Sequence, residues 1–352
     1  MDTKFNNTNT RIVLREYVPP GINTTTCFSV DKSQQVPSPD SLTDGQVLVK
    51  VFALSIDPHL RIYLLAPEDQ DPVVPQSSHP LGEAFASIGV GIVTASKSSK
   101  FAVGDRIRSV TLPWQDYAVM DATNLIKLPA DETIPLQDYL GVLGMPSFTA
   151  YLGVVTAGKA KAGETLLVSA ASGAVGQMVV QLAKARGLRV IGIAGSEEKT
   201  ARVKSIGADQ VINYKTCGDY EQAIKAAAPG GIDVYFDAVG GSILDAAFLN
   251  LNAGARVVLC GSMTTFGADR SKITGIKNLD TLIVKEATVQ GIFWYPHLGT
   301  QVETDFFEEA TRLVKQGKVD FKVDERTGLE SAPQALVDPY EGKNFGKITV
   351  LL

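Results

Sequence analysis

A short loop of small residues carries the strongest chemical signal in this sequence. The apolar run Thr165–Ala170 leads directly into Ala171-Ser172-Gly173-Ala174-Val175-Gly176, and a helical pattern follows. Dinucleotide pyrophosphates bind in this strand-turn-helix context, because a helix N-terminus offers unpaired N–H groups and a positive dipole end. We therefore predict cofactor contacts along the loop, at Ala171, Gly173, Ala174, Val175 and Gly176.

The loop departs from the dinucleotide fingerprint Gly-x-Gly-x-x-Gly at its first glycine, which is Ala171 here. Alanine is small enough to allow the turn. Gly173 would let the backbone approach the pyrophosphate, and Gly176 would let the helix pack close to the strand. The alternative interpretation is an ordinary tight turn, and the strand-turn-helix context argues against it.

The end of the next strand indicates which nicotinamide cofactor the loop serves. Gly195 lies 19 positions after Gly176, where NAD-binding sites carry an acid for the ribose hydroxyls. Ser196 follows instead, with Lys199 and then Arg202 at helical spacing. Ser196 and Lys199 would accept a 2′-phosphate that an acid would repel. Glu197 and Glu198, directly after Ser196, weigh against a phosphate site. Acids are, however, favoured in the first turn of any helix because of its dipole. We expect NADP(H), and the alternative role for Lys199 is a solvated surface residue.

Metal ligands are scarce in this chain. It has three cysteines and three histidines, and His59, His79 and His297 lie in no Cys/His cluster. Neither a closed four-cysteine zinc site nor a catalytic zinc site is therefore predicted. Polarising a carbonyl group would then depend on protein hydroxyls, backbone N–H groups or the cofactor ribose.

Composition and charge exclude several classes of partner. A net charge of −5 and a pI of about 5.4 argue against nucleic acid or an anionic membrane as the main partner. No apolar run reaches the length of about 18 residues that a membrane-spanning helix needs. The polar start Met1–Phe5 lacks the pattern of a secretory signal, and three widely spaced cysteines imply no disulfide framework. We expect a soluble, cytoplasmic protein.

Three regions differ in their hydrophobic pattern. Short β-type runs broken by Pro and Gly reach to about residue 137, which favours a small, partly open barrel. From 138 to 322, apolar strands alternate with helical segments, as in a doubly wound parallel sheet. The chain ends in a further strand, Gly346–Leu352. We therefore predict an α/β protein in which a Rossmann domain, 138–322, is inserted in a β-rich domain of 1–137 plus 323–352.

Eight motifs occur in order over nearly the whole chain. They are Ser55–Arg61, Trp114–Tyr117, Leu143–Tyr151, the phosphate loop, Ala194–Ser196, Asn213–Lys215, Tyr235–Gly241 and Gly342–Lys347. Together they resemble the zinc-independent prostaglandin reductase and alkenal/one double-bond reductase branch of the medium-chain dehydrogenase/reductase superfamily. The resemblance implies a GroES-like catalytic domain interrupted by the Rossmann domain. It also implies a homodimer joined through the edges of the Rossmann sheets.

The same resemblance implies roles for individual residues. Lys199 and Tyr214 would hold the 2′-phosphate, and Asn344 would contact the cofactor near the domain junction. Met145 and Thr149 lie on the segment that lines the nicotinamide side. Further cofactor contacts are expected at Gly195, Ser196, Cys260, Gly261 and Phe293.

Three positions depart from the family pattern. His59 replaces the tyrosine of Asp-Pro-Tyr, Ala238 replaces the asparagine before Val-Gly-Gly, and Phe266 replaces a tyrosine after the Cys-Gly strand. The tyrosine that Phe266 replaces is a candidate hydrogen-bond donor to the substrate carbonyl in relatives. The catalytic acid therefore does not carry over directly.

The resemblance implies hydride transfer from NADPH to the β-carbon of an α,β-unsaturated ketone or aldehyde. The carbonyl oxygen would gain negative charge and require a positioned donor. Tyr63, His59 and Tyr295 are the candidates, and each has a purely structural alternative. Two further functions stay open at this point. One is a tailoring enoyl reductase, cyclase or quinone reductase of the same superfamily, and the other is a non-catalytic NADPH-binding protein.

Overall fold

The computed structural model describes residues 7–70 and 78–352. The contacts within it divide this part of the chain into two compact units. The β-rich unit comprises the described residues up to Leu140, together with Asp324–Lys343 and Ile348–Leu352. The α/β unit comprises Gly141–Val323 and Asn344–Lys347.

Strands and helices are numbered here in chain order. The strands are β1 Thr8–Leu14, β2 Phe28–Gln35, β3 Gln46–Ser55, β4 Ala86–Ser96, β5 Arg106–Pro113, β6 Tyr117–Asp121, β7 Ile126–Lys127, β8 Thr165–Val168, β9 Arg189–Ala194, β10 Gln210–Asn213, β11 Ile232–Asp237, β12 Leu251–Leu259, β13 Thr288–Gly291, β14 Val323–Thr327 and β15 Lys347–Leu351. The helices are α1 Met145–Tyr151, α2 Ala174–Ala185, α3 Glu197–Ser205, α4 Tyr220–Ala227, α5 Gly241–Phe248, α6 Thr281–Val284, α7 Gln301–Lys315 and α8 Ala332–Val337.

The sheet of the α/β unit is parallel throughout the described chain. Its strand order is β10-β9-β8-β11-β12-β13, and helices connect most successive strands. Its central strands are rich in apolar residues, and Leu166, Leu167 and Val168 of β8 are fully buried because both faces of such a sheet are covered. The order reverses between β8 and β11, and ligands of doubly wound sheets bind at the carboxyl ends of the strands flanking this switch point.

The β-rich unit is built from antiparallel strands. Its larger sheet has the order β14-β15-β3-β4-β5-β7, with β6 also paired to β3, and β1 and β2 form a separate pair. This described path does not close on itself, so no closed barrel forms among the described residues. Trp114 is fully buried in its core and packs against Phe28 and Phe85. Together with the parallel sheet, this confirms the predicted α/β class.

The helix that follows the phosphate loop begins earlier than its apolar pattern indicates. Helix α2 starts at Ala174, within the loop, and Gly173 is its N-cap. The first turn lies in the small residues Ala174–Gly176, which carry no periodic apolar signal. No described helix is long and apolar enough to cross a membrane.

Candidate functional site

The phosphate loop makes a tight turn between β8 and α2. The left-handed residue is Ala170, with φ of 47°, one position before the residue that replaces the first fingerprint glycine. Ala171 is fully buried, and its N–H donates to the carbonyl of Ile193 in β9 (2.9 Å). At Gly176 a Cβ would lie 2.3 Å from the carbonyl oxygen of Ala170, so only glycine fits there. The loop therefore presents the first N–H groups of α2, which have no intrahelical partner.

The end of β9 is shaped by a glycine and an aromatic ring. At Gly195 a Cβ would lie 2.5 Å from Cε1 of Tyr214, so the absence of a side chain lets the phenol ring lie against the backbone. Ser196 is the N-cap of α3, and its Oγ accepts a hydrogen bond from the N–H of Lys199 (3.2 Å). The structure thus brings together these predicted residues, with no acid between β9 and α3. Glu197 and its neighbour begin the helix as exposed residues.

Arg202 is engaged elsewhere, although its spacing places it on the helix surface with Lys199. Its Nη1 lies 2.5 Å from Oδ2 of Asp320, and its Nη2 lies 2.9 Å from Oδ1. This bidentate ion pair neutralises the guanidinium charge. Arg202 therefore holds the segment before β14 instead of supplying a free cation beside Ser196.

Two glutamines of α2 bind that same segment, a role that the sequence reasoning missed. The Gln177 side chain accepts from the N–H of Lys322 (2.7 Å) and donates to its carbonyl (3.0 Å). One turn later, Gln181 accepts from the N–H of Asp320 (2.8 Å) and donates to its carbonyl (2.9 Å). The two amides pair with alternate residues as a neighbouring strand would. The only hint in the sequence is a polar residue, Gln177, directly after Gly176. The structure shows that its side chain is 1% exposed.

Replacing Gln177 with alanine is expected to destabilise the protein by about 1–3 kcal/mol, because the N–H of Lys322 would lose its partner in a partly buried place. Urea unfolding followed by circular dichroism measures the effect. The matched control is Gln222→Ala, the same change at an exposed position of α4. Equal stability of the two variants would contradict the role assigned to Gln177.

The predicted nicotinamide-side segment contains an unpaired buried hydroxyl. Met145 begins α1, and Thr149 on the same helix is 6% exposed. The Oγ1 atom of Thr149 is buried and makes no hydrogen bond within the described chain. A buried hydroxyl without a partner is costly, which favours a ligand group as its partner.

The loop after β12 also holds predicted contacts. Burial, and next the charge of Asp237, raise the pKa of the Cys260 thiol, so it stays neutral. At Gly261 a Cβ would lie 3.6 Å from the Phe266 ring, which occupies the place of the missing tyrosine. Without a phenol hydroxyl, Phe266 can pack there but cannot donate a hydrogen bond.

The other predicted residues of the α/β unit are spread more widely. Phe293 and Tyr295 lie beyond β13, are more than half exposed, and stack on each other with ring centroids 6.3 Å apart. Asn344 donates from Nδ2 to the carbonyl of Gly346 (3.2 Å), which shapes the segment before β15. The ring contacts of Tyr295 among the described residues are with Phe293 and Trp294, and none joins it to Tyr214.

The β-rich unit contributes a short 3₁₀ helix, Pro58–Leu64, directly after β3. The Oγ of Ser55 donates to the buried carboxylate of Asp57 (2.5 Å), which precedes this helix. The Arg61 guanidinium lies 4.7 Å from the centre of the Tyr340 ring, and the Tyr340 hydroxyl donates to the carbonyl of Pro58 (2.6 Å). These contacts hold the helix in place, so Asp57 and Arg61 have structural roles.

Two candidate hydrogen-bond donors lie on this helix. The rings of His59 and Tyr63 pack edge to face, with centroids 6.2 Å apart. Burial raises the pKa of the Tyr63 phenol above its usual value, so the group stays protonated and able to donate. Its hydroxyl makes no hydrogen bond within the described chain. Tyr63 is therefore a half-buried donor whose hydroxyl has no partner among residues 7–70 and 78–352.

Comparisons with known proteins identify the family. A model described as "N-terminal domain of oxidoreductase" matches residues 11–128, and one described as "Zinc-binding dehydrogenase" matches 174–316. The NADP(+)-dependent 2-alkenal reductase of Nicotiana tabacum is 36% identical over 98% of this chain and 97% of its own length. The chain belongs to the zinc-independent prostaglandin reductase and alkenal reductase branch of the medium-chain dehydrogenase/reductase superfamily.

Other members of this branch match at similar levels. Prostaglandin reductase 1 of Bos taurus is 35% identical over 88% of this chain and 90% of its own length. The crystal structure of CurA from Vibrio vulnificus in complex with NADPH is 34% identical, covers 97% of this chain and 98% of its own, and has a TM-score of 0.85. The resemblance predicted from eight motifs is thus confirmed. Within residues 7–70 and 78–352, no three His, Cys, Asp or Glu side chains form a group that could hold a metal ion.

Proposed function

We propose that this protein is an NADPH-dependent reductase of the carbon–carbon double bond of α,β-unsaturated ketones or aldehydes. The observation that carries the proposal is the end of β9, where Ser196, Lys199 and Tyr214 replace the acid of NAD sites. The relative from Nicotiana tabacum is named an NADP(+)-dependent 2-alkenal reductase, which supports the same activity. No metal is required for it. The substrate is a small-molecule enone or enal, and neither nucleic acid nor membrane is a partner.

The residues present fit NADP(H). The loop from Ala171 to Gly176 would bind the pyrophosphate through backbone N–H groups, and Ser196, Lys199 and Tyr214 would hold the 2′-phosphate. The unpaired Thr149 hydroxyl, 6% exposed, would bind a polar group of the nicotinamide end. We propose that the remaining predicted residues also contact the cofactor. They are Met145, Gly195, Cys260, Gly261, Phe293 and Asn344.

The cofactor, when bound, supplies the hydride for the β-carbon of the substrate. The protein must then stabilise the negative charge that develops on the substrate carbonyl oxygen. We assign that role to Tyr63, because its protonated phenol lacks an acceptor within the described chain. His59 packs against Tyr63 and orients it, whereas Tyr295 is 54% exposed and is the weaker candidate.

A panel of substrates tests the proposed function. NADPH consumption is measured by absorbance with enones, enals, quinones and saturated ketones, and the product is identified by mass spectrometry. We expect consumption with enones or enals, giving the saturated carbonyl compound. Consumption with quinones alone would favour a quinone reductase. Binding of NADPH with turnover of none of these would favour a binding protein or a tailoring enzyme for a larger product.

Substituting Tyr63 with phenylalanine is expected to lower kcat by about 10²–10³-fold, the usual cost of removing one donor to a developing oxyanion. The KM for NADPH should change little, since the cofactor contacts lie in the other unit. Activity that depends on this phenol is lost only as pH rises through its pKa, which burial has raised above 10.0. Steady-state kinetics against pH measure both effects. A wild-type kcat in Tyr63→Phe would remove Tyr63 from the mechanism, and Tyr295→Phe is then the next variant.

We further propose that the protein is a cytoplasmic homodimer joined through the edge of its parallel sheet. Every residue of the edge strand β13 is exposed, and Ile283 and Val284 of the preceding helix α6 are each 78% exposed. An unpaired edge next to apolar side chains is a surface that a second copy would cover. The cysteines of the described chain form no disulfide, which agrees with a reducing compartment.

Introducing lysines at Ile283 and Val284 is expected to give a monomer, because charges would then face each other across the paired edges. Light scattering during gel filtration should change from twice the chain mass to the chain mass of 37.5 kDa. The control is Val103→Lys, an exposed apolar position of the β-rich unit. A wild-type protein that is already monomeric would refute the dimer.

A further inference from the structure

A fully buried carboxylate lies at the switch point of the parallel sheet. Asp237 is the last residue of β11, and Ser169 follows β8, its neighbour across the switch point. Cofactors of doubly wound sheets bind beyond the carboxyl ends of these two strands. The proposed contacts do not use Asp237. The presence of a buried carboxylate at this end of the sheet therefore needs a separate explanation.

The hydrogen bonds around the Asp237 side chain come from four donors. Oδ1 accepts from the Ser169 hydroxyl (2.8 Å), the Tyr235 hydroxyl (2.7 Å) and the N–H of Val239 (3.1 Å). Oδ2 accepts from the N–H of Gly240 (2.9 Å). Backbone N–H groups can only donate, and a protonated carboxyl would itself need an acceptor. Four converging donors thus fit a carboxylate that carries its negative charge.

The surroundings keep the donors oriented toward that charge. The Ser169 hydroxyl also accepts from the N–H of Ala238 (2.8 Å), which leaves its own proton for Asp237. Burial, and next the Asp237 charge, raise the pKa of Tyr235, so its phenol stays protonated. The N–H of Cys260 donates to the Asp237 carbonyl (2.9 Å). Three strand ends are thereby tied to one residue.

No cationic side chain pairs with Asp237 among the residues that the structure describes. Within the described chain its partners are hydroxyls and backbone amides, which solvate the charge but do not cancel it. A buried charge is poorly screened, so its field reaches further than that of a surface carboxylate. Buried charges are normally paired, so one solvated only by neutral donors at a ligand-binding edge is a candidate for a functional role.

We propose that the charge of Asp237 favours the oxidised over the reduced cofactor, and so assists hydride release during the reaction. The inference rests on the proposed NADP(H) function. The nicotinamide ring is neutral in NADPH and positively charged in NADP⁺, whereas the rest of the two molecules is the same. A fixed negative charge near the switch point would therefore stabilise the positively charged ring of NADP⁺ bound at that edge of the sheet. Asp237 acts through its field and through the loop it holds, as a positioning residue.

The ratio of two dissociation constants tests this inference. Kd for NADP⁺ and for NADPH is measured by calorimetry with wild type, Asp237→Asn and Tyr235→Phe. Loss of the charge should raise Kd(NADP⁺)/Kd(NADPH) by about threefold or more, because only the oxidised ring feels it. Tyr235→Phe removes one hydrogen bond but keeps the charge, so its ratio should stay near that of wild type. A role in packing alone would weaken both cofactors equally and leave the ratio unchanged.

A second pair of variants keeps the test decisive if Asp237→Asn does not fold. Ala238→Lys places a cation beside the carboxylate, and Ala238→Met is a neutral control of similar length. The lysine should raise the same ratio and the methionine should not. An unchanged ratio in the lysine variant, or equal changes in both, would overturn the inference. Failure of wild type to bind either cofactor would instead refute the proposed function.

Discussion

Replacing Lys199 with alanine is expected to raise the KM for NADPH by about tenfold to hundredfold, because a charge-assisted hydrogen bond to the 2′-phosphate would be lost. The KM for NADH should change by less than about twofold, since NADH lacks that phosphate. The preference for NADPH would therefore shrink, with kcat nearly unchanged. Steady-state kinetics with both cofactors at one fixed enone concentration measure this difference.

The matched control for Lys199 is Lys204→Ala, which removes an exposed lysine from the same helix, α3. It changes the net charge equally, so a general electrostatic effect would appear in both variants. Tyr214→Phe gives an independent reading, because it keeps the ring against Gly195 but removes the hydroxyl. If wild type binds NADH as tightly as NADPH, the assignment of Ser196, Lys199 and Tyr214 is wrong.

Gly176→Ala is expected to weaken NADPH binding by about tenfold to hundredfold, because overpacking of a tight site costs about 1–3 kcal/mol. The new methyl group would lie 2.3 Å from the carbonyl oxygen of Ala170. The Ala170 carbonyl group belongs to the backbone and cannot rotate away as a flexible side chain can. The start of α2 must therefore shift away from β8. That movement displaces the N–H groups proposed to bind the pyrophosphate. Calorimetric titration with NADPH measures the loss.

The control for this variant is Gly230→Ala, a glycine with ordinary φ and no atom within 4 Å of an added Cβ. It should bind NADPH like wild type. Weak NADPH binding by Gly176→Ala could come from a damaged binding loop or from an unfolded protein. Thermal unfolding with and without NADPH distinguishes these two causes. A folded variant that NADPH no longer stabilises supports the loop as the binding site. A variant that binds NADPH normally would contradict it.

Local patterns predicted the parts of the fold that depend on neighbouring residues. The apolar strand, the small-residue turn and the helix all lie within one stretch of chain, so the loop at Ala171–Gly176 could be predicted from its letters alone. The missing acid after β9 was equally visible. The left-handed residue was not, because a non-glycine with positive φ at Ala170 follows from the packing of β8 against α2.

Long-range contacts account for what the sequence reasoning missed. Nothing near Gln177 indicates that it pairs with Lys322, which lies 145 positions away. Helical spacing places Arg202 on the same face as Lys199, but its partner Asp320 lies 118 positions away. In both cases the residue type was compatible with several roles. Only the three-dimensional neighbour selects one of them.

By itself the sequence determined the family, the parallel sheet and the position of the phosphate loop, because hydrophobic periodicity and short motifs are local properties of the chain. The tertiary structure decided which side chains remain able to act. Within the described part of the chain it left the hydroxyls of Thr149 and Tyr63 without a hydrogen-bond partner, and it engaged Arg202 in an ion pair. It also surrounded the Asp237 carboxylate with four donors and, among the same described residues, no cation. Burial and partners belong to the folded chain, and they set the reactivity of each group.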